Sequence, residues 1–362
     1  MKINFYILVI LLILPAHFIY SQIYSQPDLR NRDKYTLLTM PYNMRPLSVY
    51  KGQVQIDAGY KFAIRTHSYD SEGNTLFLRK TGTGSVFHYY YVELRYGLTD
   101  FLEIGAQTNY IRHGVRSESE TYVTASLTTA DRVTVNKINE VKGFSDILIS
   151  TTARLPIQYK WFDLSATGGM YVPSAEYRQE KPAHTITNVT TANSYTVNLH
   201  YKYTNGFGVP VYLLASQAKF TLRKFSLQAG LIFRTPAKEG TSIRWEENMV
   251  EKQFLYYDKS YKYLLSDEWI ANISLHYQAT GWFDIFINTN YRKTSGGWTE
   301  YWGNKYKNRE TMLVTLEPCF ELQISPSLKV CQNAGFPVKG KNTDAPFYLF
   351  TTIRFSNFPF FR

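Results

Sequence analysis

The sequence has few cysteines and, after its N-terminus, no long apolar run. Its 362 residues include two cysteines, which are too few for a disulfide-stapled secreted scaffold. Beyond the N-terminus no stretch reaches the roughly 18 apolar residues of a membrane-spanning helix, which excludes a bundle of membrane helices. The enzyme motif G-x-S-x-G, zinc-ligand spacings and phosphate loops are also missing. The sequence therefore predicts no enzyme, no bound metal and no cofactor.

The N-terminus carries an export signal. "MKINFYILVILLILPAHFIYSQ" is a short basic start, an apolar stretch and a small polar end, which predicts a secretory signal peptide over residues 1–21. A single N-terminal membrane anchor is the alternative, but the apolar stretch is short for one. Residues 22–50 are polar and aperiodic, and we interpret them as a periplasmic N-terminal segment or a plug of the domain that follows.

The composition is basic and rich in tyrosine. The net charge is +11, yet no basic run exceeds three residues, and an exported protein does not meet nucleic acid. Anionic lipid or anionic solutes fit this charge better. The 30 tyrosines outnumber the 23 phenylalanines, as expected for rings at a boundary between water and an apolar phase.

The mature chain alternates apolar and polar residues in repeated hairpins. In "QVQIDAGYKFAIR", Val54 and Ile56 fall on one face while Asp57 and Lys61 fall on the other. In "RYGLTDFLEIGAQTNY", a tight polar turn separates two such strands. Five short turns of this kind alternate with six long polar connections, at roughly 67–85, 114–142, 174–205, 236–266, 293–309 and 338–345.

This asymmetry of turns and loops is typical of outer-membrane proteins. We predict an all-β fold: a single transmembrane antiparallel β-barrel of about twelve strands over residues 51–356, with short periplasmic turns, long extracellular loops and a tail at 357–362. Closure is required because lipid cannot satisfy an open sheet edge. A soluble all-β sandwich is the alternative, but it does not explain the loop asymmetry.

If the apolar face meets lipid, the charged residues of the strands point inward. The pore-lining candidates are Lys61, Arg65, Glu93, Arg95, Glu103, Arg154, Asp163, Arg234, Asp284, Arg292, Glu317 and Arg354. They either cross-link the interior as salt bridges or line a path for polar solutes, and their cations suggest a weak preference for anions. Inward aromatics such as Tyr89 either narrow that path or fill the barrel.

The two cysteines share the inward face of neighbouring predicted strands. Cys319 and Cys331 are placed symmetrically about Ser325, at the turn between those strands. They can face each other and form a disulfide in an oxidising compartment, although a register shift of one residue would separate them. The pairing stays open at this point.

Three segments resemble the outer-membrane transporter family of the meta-pathway of phenol degradation. They are "KGQVQIDAGYKF" with Gly52, Gln53, Gln55, Asp57 and Gly59; the turn with Gly97, Leu98, Thr99, Asp100, Glu103 and Gly105; and "KGFSDILISTTARLP" with Gly143, Ser145 and Asp146. The sequence has Asp57 where this family usually has glutamate. The resemblance covers the first third of the chain well and implies a barrel channel for small aromatic or otherwise hydrophobic solutes.

Taken together, we predict a passive channel or facilitator for small solutes, aromatic, hydrophobic or anionic, in the cell outer membrane of a Gram-negative bacterium. Connections 114–142, 174–205 and 236–266 are its expected gates. The expected partners are outer-membrane lipid and lipopolysaccharide, the barrel-assembly machinery and the solute, but not nucleic acid. Two alternatives remain: a plugged structural or adhesion barrel whose loops bind a partner or glycan, and a lipid-modifying hydrolase.

Overall fold

The computed structural model describes residues 51–77, 85–99, 101–115, 119–125, 130–155, 162–174, 183–191, 194–203, 206–250, 253–280, 282–301, 303–325 and 327–356. The expected signal peptide (1–21), the N-terminal segment (22–50) and the tail (357–362) lie outside these ranges, and so their assignment stays a prediction. Within the ranges, no helix is long and apolar enough to cross a membrane.

The alternating sequence forms strands along the whole described chain. They are β1 (Val54–Tyr69), β2 (Thr75–Phe77), β3 (Ser85–Gly97), β4 (Leu102–Val115), β5 (Ser119–Ala125), β6 (Ala130–Phe144), β7 (Ile147–Arg154), β8 (Phe162–Val172), β9 (Ala183–Thr191), β10 (Ser194–Tyr203), β11 (Val211–Leu222), β12 (Phe225–Pro236), β13 (Gly240–Val250), β14 (Gln253–Leu264), β15 (Asp267–Gln278), β16 (Phe283–Ser295), β17 (Trp298–Tyr301), β18 (Asn304–Lys307), β19 (Thr311–Ser325), β20 (Leu328–Lys341) and β21 (Thr343–Ser356).

Twelve of these strands close into an antiparallel barrel. The ring runs β1, β3, β4, β7, β8, β11, β12, β15, β16, β19, β20 and β21. Strand β21 then pairs with β1 over a long register, from Gln55 opposite Ser356 to Tyr69 opposite Thr343. The predicted all-β barrel and its strand number are confirmed.

The other strands belong to the long connections. β5 and β6 form one hairpin and β9 and β10 another, and β10 pairs in parallel with β6. β13, β14, β17 and β18 form a separate four-stranded sheet. The connections are therefore not simply the polar loops that we expected, because their alternating residues continue to pair as strands beyond the barrel.

The sixth long connection, expected at 338–345, is wrong. Strand β20 runs to Lys341 and β21 starts at Thr343, so Asn342 alone joins them. Asn342 has a positive φ of 49°, which asparagine tolerates better than most residues. Its backbone N–H donates to the carbonyl of Asp70 (2.8 Å), which fixes this turn to the loop after β1.

The motif Gly97-Leu98-Thr99 ends β3 in a tight turn. The backbone N–H groups of Leu98 and Thr99 both donate to the carbonyl of Leu102 (2.9 and 3.1 Å), and the Thr99 hydroxyl accepts from the N–H of Phe101 (3.2 Å). Local hydrogen bonds of this type satisfy the backbone without a longer loop. The polar turn in the sequence is thus a compact β-hairpin connection.

The barrel is polar inside and apolar outside. Val92 and Leu214 on the outer face are 51% and 62% exposed, whereas Asp57 and Arg95 on the inner face are 1% and 3% exposed. A cation on the lipid face costs about 2–4 kcal/mol near the bilayer midplane, so this orientation is the stable one in a membrane. The interior is therefore where polar chemistry is possible.

Candidate functional site: the barrel interior

The structure places all twelve pore-lining candidates on the inward face of the barrel strands, and most of them are buried. Their parity along each strand matches that of buried neighbours such as Gln55 and Gln107. What the sequence left open is which of these charges meet one another.

One network occupies the periplasmic half of the interior. Arg354 Nε lies 2.9 Å from Asp57 Oδ1, and its Nη1 lies 3.5 Å from Glu321 Oε2. Arg95 approaches Asp57 (3.7 Å) and Glu103 (3.5 Å). These contacts link five strands around the closure seam between β21 and β1. They favour the cross-linking interpretation for this group of charges.

The middle of the barrel on the same side is filled by aromatic rings. Lys61 Nζ lies 3.2 Å from the centroid of the Tyr348 ring, and the Tyr348 hydroxyl donates to Glu317. Tyr89 and Tyr91 are 4% and 3% exposed and pack in the same cluster. At these positions the inward aromatics fill the barrel, as one of the two alternatives predicted.

The extracellular half holds further ion pairs. Glu268 accepts from Arg234 Nη1 (2.9 Å) and from Arg292 Nε. Arg65 pairs with Asp344 (2.8 Å). At the periplasmic end, the remaining inward arginine of the predicted set, Arg154, pairs with Asp163. Each of the six predicted arginines thus has a carboxylate partner, and the arrangement gives no argument for anion preference.

A cluster of buried apolar residues lies at the extracellular end, beside Arg234. Phe207 and Val209 enter from the connection between β10 and β11, and they are 5% and 2% exposed. The Phe207 ring packs edge-on against Tyr171 (5.3 Å), and the Tyr263 hydroxyl donates to the Phe207 carbonyl (2.7 Å). With Leu265 these residues form what we call the extracellular closure. A cavity of about 20 Å³, room for about one water, lies against Phe207 and Arg234.

Asp146 fastens this closure to the barrel wall. Its buried carboxylate accepts the backbone N–H of Ser174 (2.9 Å) and of Phe207 (2.6 Å). Gly143, with a φ of 144°, lies near the end of β6, and Ser145 and Asp146 separate β6 from β7, which pair one after the other with β4. The Ser145 hydroxyl accepts from the N–H of Asn109 (3.1 Å) at the same point. The G-x-S-D motif is thus a loop anchor.

Sequence reasoning missed Phe207 and Tyr263 because both lie in connections, outside the alternating pattern. Of the three expected gates, 236–266 contributes Tyr263 and Leu265 to the extracellular closure. Phe207 and Val209, which also belong to it, directly follow the connection at 174–205. The available signal was "GFGVP" at 206–210, an aromatic between two glycines at the end of a polar stretch. Apart from Lys142, the side chains of connection 114–142 lie outside the described part of the structure, so its role as a gate stays a prediction.

Several buried amides on the inner wall have atoms without a hydrogen-bond partner in the described protein. These atoms belong to Gln107, Gln217, Gln228, Asn272 and Asn288, which we call the amide group. Gln217, Gln228, Asn272 and Asn288 lie on the consecutive strands β11, β12, β15 and β16. Buried polar groups in native proteins are almost always paired with protein or water. The amide group therefore requires water or a polar solute in the interior.

The two cysteines are adjacent but not directly opposite. Cys319 pairs with Asn333 and Glu321 with Cys331, so the register differs by two from the expected one. The turn is centred beyond Ser325, because Ser325 lies opposite Leu328, and this displaced turn accounts for the shift. Both thiols are free and buried, and their sulfur atoms are 3.0 Å apart at diagonal positions. The disulfide stays a prediction.

A Ser–His–Asp chain lies near the periplasmic end. The Ser226 hydroxyl is 2.9 Å from His276 Nδ1, and His276 Nε2 is 3.5 Å from Asp284 Oδ1. Acyl transfer also needs donors for an oxyanion, but Ser226 and His276 face each other within the paired strands β12 and β15. Backbone N–H groups there lie in the plane of the sheet, so the arrangement offers no oxyanion hole.

Comparison with known proteins establishes the fold. No family model matches the sequence, and no curated protein matches it. The structure is similar to an outer-membrane channel from Pseudomonas putida F1, with a TM-score of 0.57 and 12% identity over 88% of this chain and 100% of that one. A toluene transporter, TodX of P. putida, matches at 8% identity, 86% and 93% coverage and a TM-score of 0.45.

A third match is the translocator domain of the autotransporter NalP of Neisseria meningitidis, at 6% identity, 86% and 90% coverage and a TM-score of 0.44. At these identities, the likeness to the first of these proteins shows the architecture alone. The chain has the fold of an outer-membrane β-barrel, and the expected resemblance to outer-membrane transporters holds at the level of the fold.

Proposed function

We propose that the protein is an outer-membrane channel through which small, uncharged polar solutes diffuse passively. The amide group carries this proposal, because its buried donors and acceptors need partners that the described protein does not supply. Water and solutes with hydroxyl or amide groups supply them. A barrel filled only to stabilise itself would more economically bury apolar side chains at these positions.

The charges of the interior support an uncharged solute. Each inward arginine of the predicted set has a carboxylate partner, so an anion would have to break an existing ion pair such as Arg234–Glu268 in order to bind. The interior also has little apolar surface to which a hydrocarbon could bind, because the residues of the apolar cluster near Tyr348 are buried against one another. We therefore place uncharged polar solutes ahead of the anionic and aromatic classes.

The extracellular closure makes the channel gated. Phe207 and Val209 are buried in the apolar cluster at this end, and we expect a solute larger than water to pass only when this segment moves. Motion of a loop that carries two anchoring contacts is far easier than motion of a barrel strand, which pairs along its whole length. The closure is thus the expected rate-limiting barrier to flux.

Liposome swelling tests the proposal. Purified protein is reconstituted as wild type, as Phe207→Ala and as Phe225→Ala; Phe225 is an exposed residue of the outer face and is a matched control for loss of a phenyl ring. We expect slow wild-type entry of glycerol or arabinose and several-fold faster entry with Phe207→Ala. The Phe225→Ala control should behave like the wild type, and glutamate should enter more slowly than arabinose through every variant.

The outcomes separate the alternatives. If neither the wild type nor Phe207→Ala admits any solute or shows conductance steps in planar bilayers, the barrel is plugged and the structural or adhesion alternative stands. Faster entry of glutamate than of arabinose would instead support the anion preference. The hydrolase alternative gains nothing from Ser226 and His276, since they lie inside the barrel and away from lipid. Interaction with the barrel-assembly machinery stays a prediction.

A further inference from the structure

Two cationic side chains and a histidine form a row across the outside of the barrel. His88 on β3 pairs in register with Arg112 on β4, and Arg112 pairs with Lys142 on β6. Arg112 and Lys142 are exposed, and His88 is partly exposed with its Nδ1 2.8 Å from the Tyr60 hydroxyl. Directly opposed residues in a sheet have neighbouring side chains, so these three positive or titratable groups are adjacent. We call them the basic row.

The basic row lies at the extracellular boundary of the membrane. At a rise of about 3.4 Å per residue and a tilt of about 40°, the ten residues from Leu102 to Arg112 climb ~26 Å along the bilayer normal. The apolar band of such barrels is about 25 Å tall. Leu102 adjoins the periplasmic turn, so Arg112 emerges at the level of the outer-leaflet headgroups.

Aromatic residues below the row mark the same boundary. The next outward-facing residues on the same strands, two positions closer to the bilayer midplane, also pair: Tyr90 with Tyr110, and Tyr110 with Phe144. Their ring centroids are 6.1 and 5.2 Å apart, which makes a continuous aromatic strip across three strands. Tyrosine is enriched at membrane–water interfaces, where its ring is apolar and its hydroxyl is hydrated. The strip therefore fixes the depth of the row from independent residues.

The row has no carboxylate partner within the described part of the chain. On the other side of the barrel, outward-facing Lys293 is compensated by Glu310 at 3.9 Å. No such ion pair is found for Arg112 or Lys142. Unpaired cations beside apolar lipid are unfavourable unless the lipid itself supplies an anion.

We propose that the basic row binds the phosphate groups of the phosphorylated glycolipid of the outer leaflet, lipopolysaccharide. Guanidinium and ammonium groups are the side chains that bind phosphate oxygens most strongly, and arginine does so in a bidentate geometry. The aromatic strip then contacts the sugar and the upper acyl chains. This site is on the outside of the barrel and does not depend on whether the interior conducts.

Binding of purified lipopolysaccharide to the protein in detergent micelles tests this assignment. The variant Arg112→Gln/Lys142→Gln is compared with the wild type by microscale thermophoresis. The control Arg223→Asn/Lys224→Gln removes the same charge at the periplasmic turn between β11 and β12. Each basic side chain near a charged headgroup contributes roughly a factor of five, so we expect about 25-fold weaker binding by the double variant and no change in the control.

A second measurement keeps the test informative if the double variant folds poorly. Lipopolysaccharide treated with phosphatase should bind the unmodified protein about as weakly as untreated lipid binds the double variant. Equal affinity of the wild type for intact and dephosphorylated lipid would overturn the proposal. So would an equal loss in the control variant, which would show that only net charge matters. Solute entry into liposomes should be the same for all three proteins.

Discussion

Removal of the Asp146 carboxylate should open the extracellular end of the barrel. Asp146 is 1% exposed and accepts two backbone hydrogen bonds, from Ser174 (2.9 Å) and Phe207 (2.6 Å). A hydrogen bond to a charged group contributes about 1.5–3 kcal/mol. The two together are therefore worth at least about 3 kcal/mol to the closed arrangement, and burial protects them from screening by solvent.

Asp146→Ala should shift the equilibrium between closed and open mouths by roughly 150-fold toward the open form, which follows from 3 kcal/mol at 25 °C. Asp146→Asn should have a smaller effect, because its amide oxygen remains a neutral acceptor. The assay is the open probability in planar bilayers, together with the rate of proteolytic cleavage in the connection around Phe207. Both quantities should rise in the order wild type, Asp146→Asn, Asp146→Ala.

A matched control is available in another extracellular loop. Asp70 also accepts two backbone hydrogen bonds, from Glu72 and Asn74 (both 2.8 Å), but it is partly exposed to water. Asp70→Ala should leave the open probability unchanged. The reasoning about Asp146 is refuted if Asp146→Ala conducts and is cleaved like the wild type, or if Asp70→Ala opens the barrel equally well.

Three further predictions concern stability, redox state and pH. Arg354→Met should lower the free energy of unfolding by about 3 kcal/mol in urea titrations, because it leaves the buried carboxylate of Asp57 without its nearest cation. The double variant Asp57→Leu/Arg354→Met should recover most of that loss. A double variant as unstable as the single one would contradict this. Cys319 and Cys331, whose sulfurs are 3.0 Å apart, should be oxidised in protein purified without reductant, and two free thiols counted after unfolding would disprove it. Hydrogen bonds from Asn74 hold the pKa of Asp70 below its usual value, so the loop gains stability above about pH 4 and loses it as pH falls through the folded-state pKa of Asp70. Hydrogen exchange of the loop amides should therefore be faster at low pH. An exchange rate that does not change with the stability of the loop would contradict this.

The barrel was predictable because its physics is local and repetitive. Alternation such as Val54, Ile56 against Asp57, Lys61 assigns each side chain to lipid or to the interior, and lipid then requires the sheet to close. The short turn after Gly97 could also be predicted from its residues. The connection at 338–345 was misjudged because β20 and β21 extend by pairing with β19 and β1, which the polar composition of this stretch does not reveal.

The interior was predictable only as a set of residues. Parity along a strand gives the direction of a side chain but not its height, and height depends on the stagger between strands. That Arg354 meets Asp57 while Cys319 sits diagonally from Cys331 follows from registers that one irregular residue can change. The same limit hid the alignment of Ser226 with His276, which are 50 residues apart.

The sequence by itself determined which side chains face lipid. A period of two divides each strand into two faces, and the cost of a charge in hydrocarbon decides which face points outward. The tertiary structure decided which inward groups pair, which amide atoms of the inner wall have no protein partner, and that the backbone of Phe207 donates to Asp146. Those contacts join residues that are far apart in the chain, and their energies depend on distances that exist only after the barrel has closed.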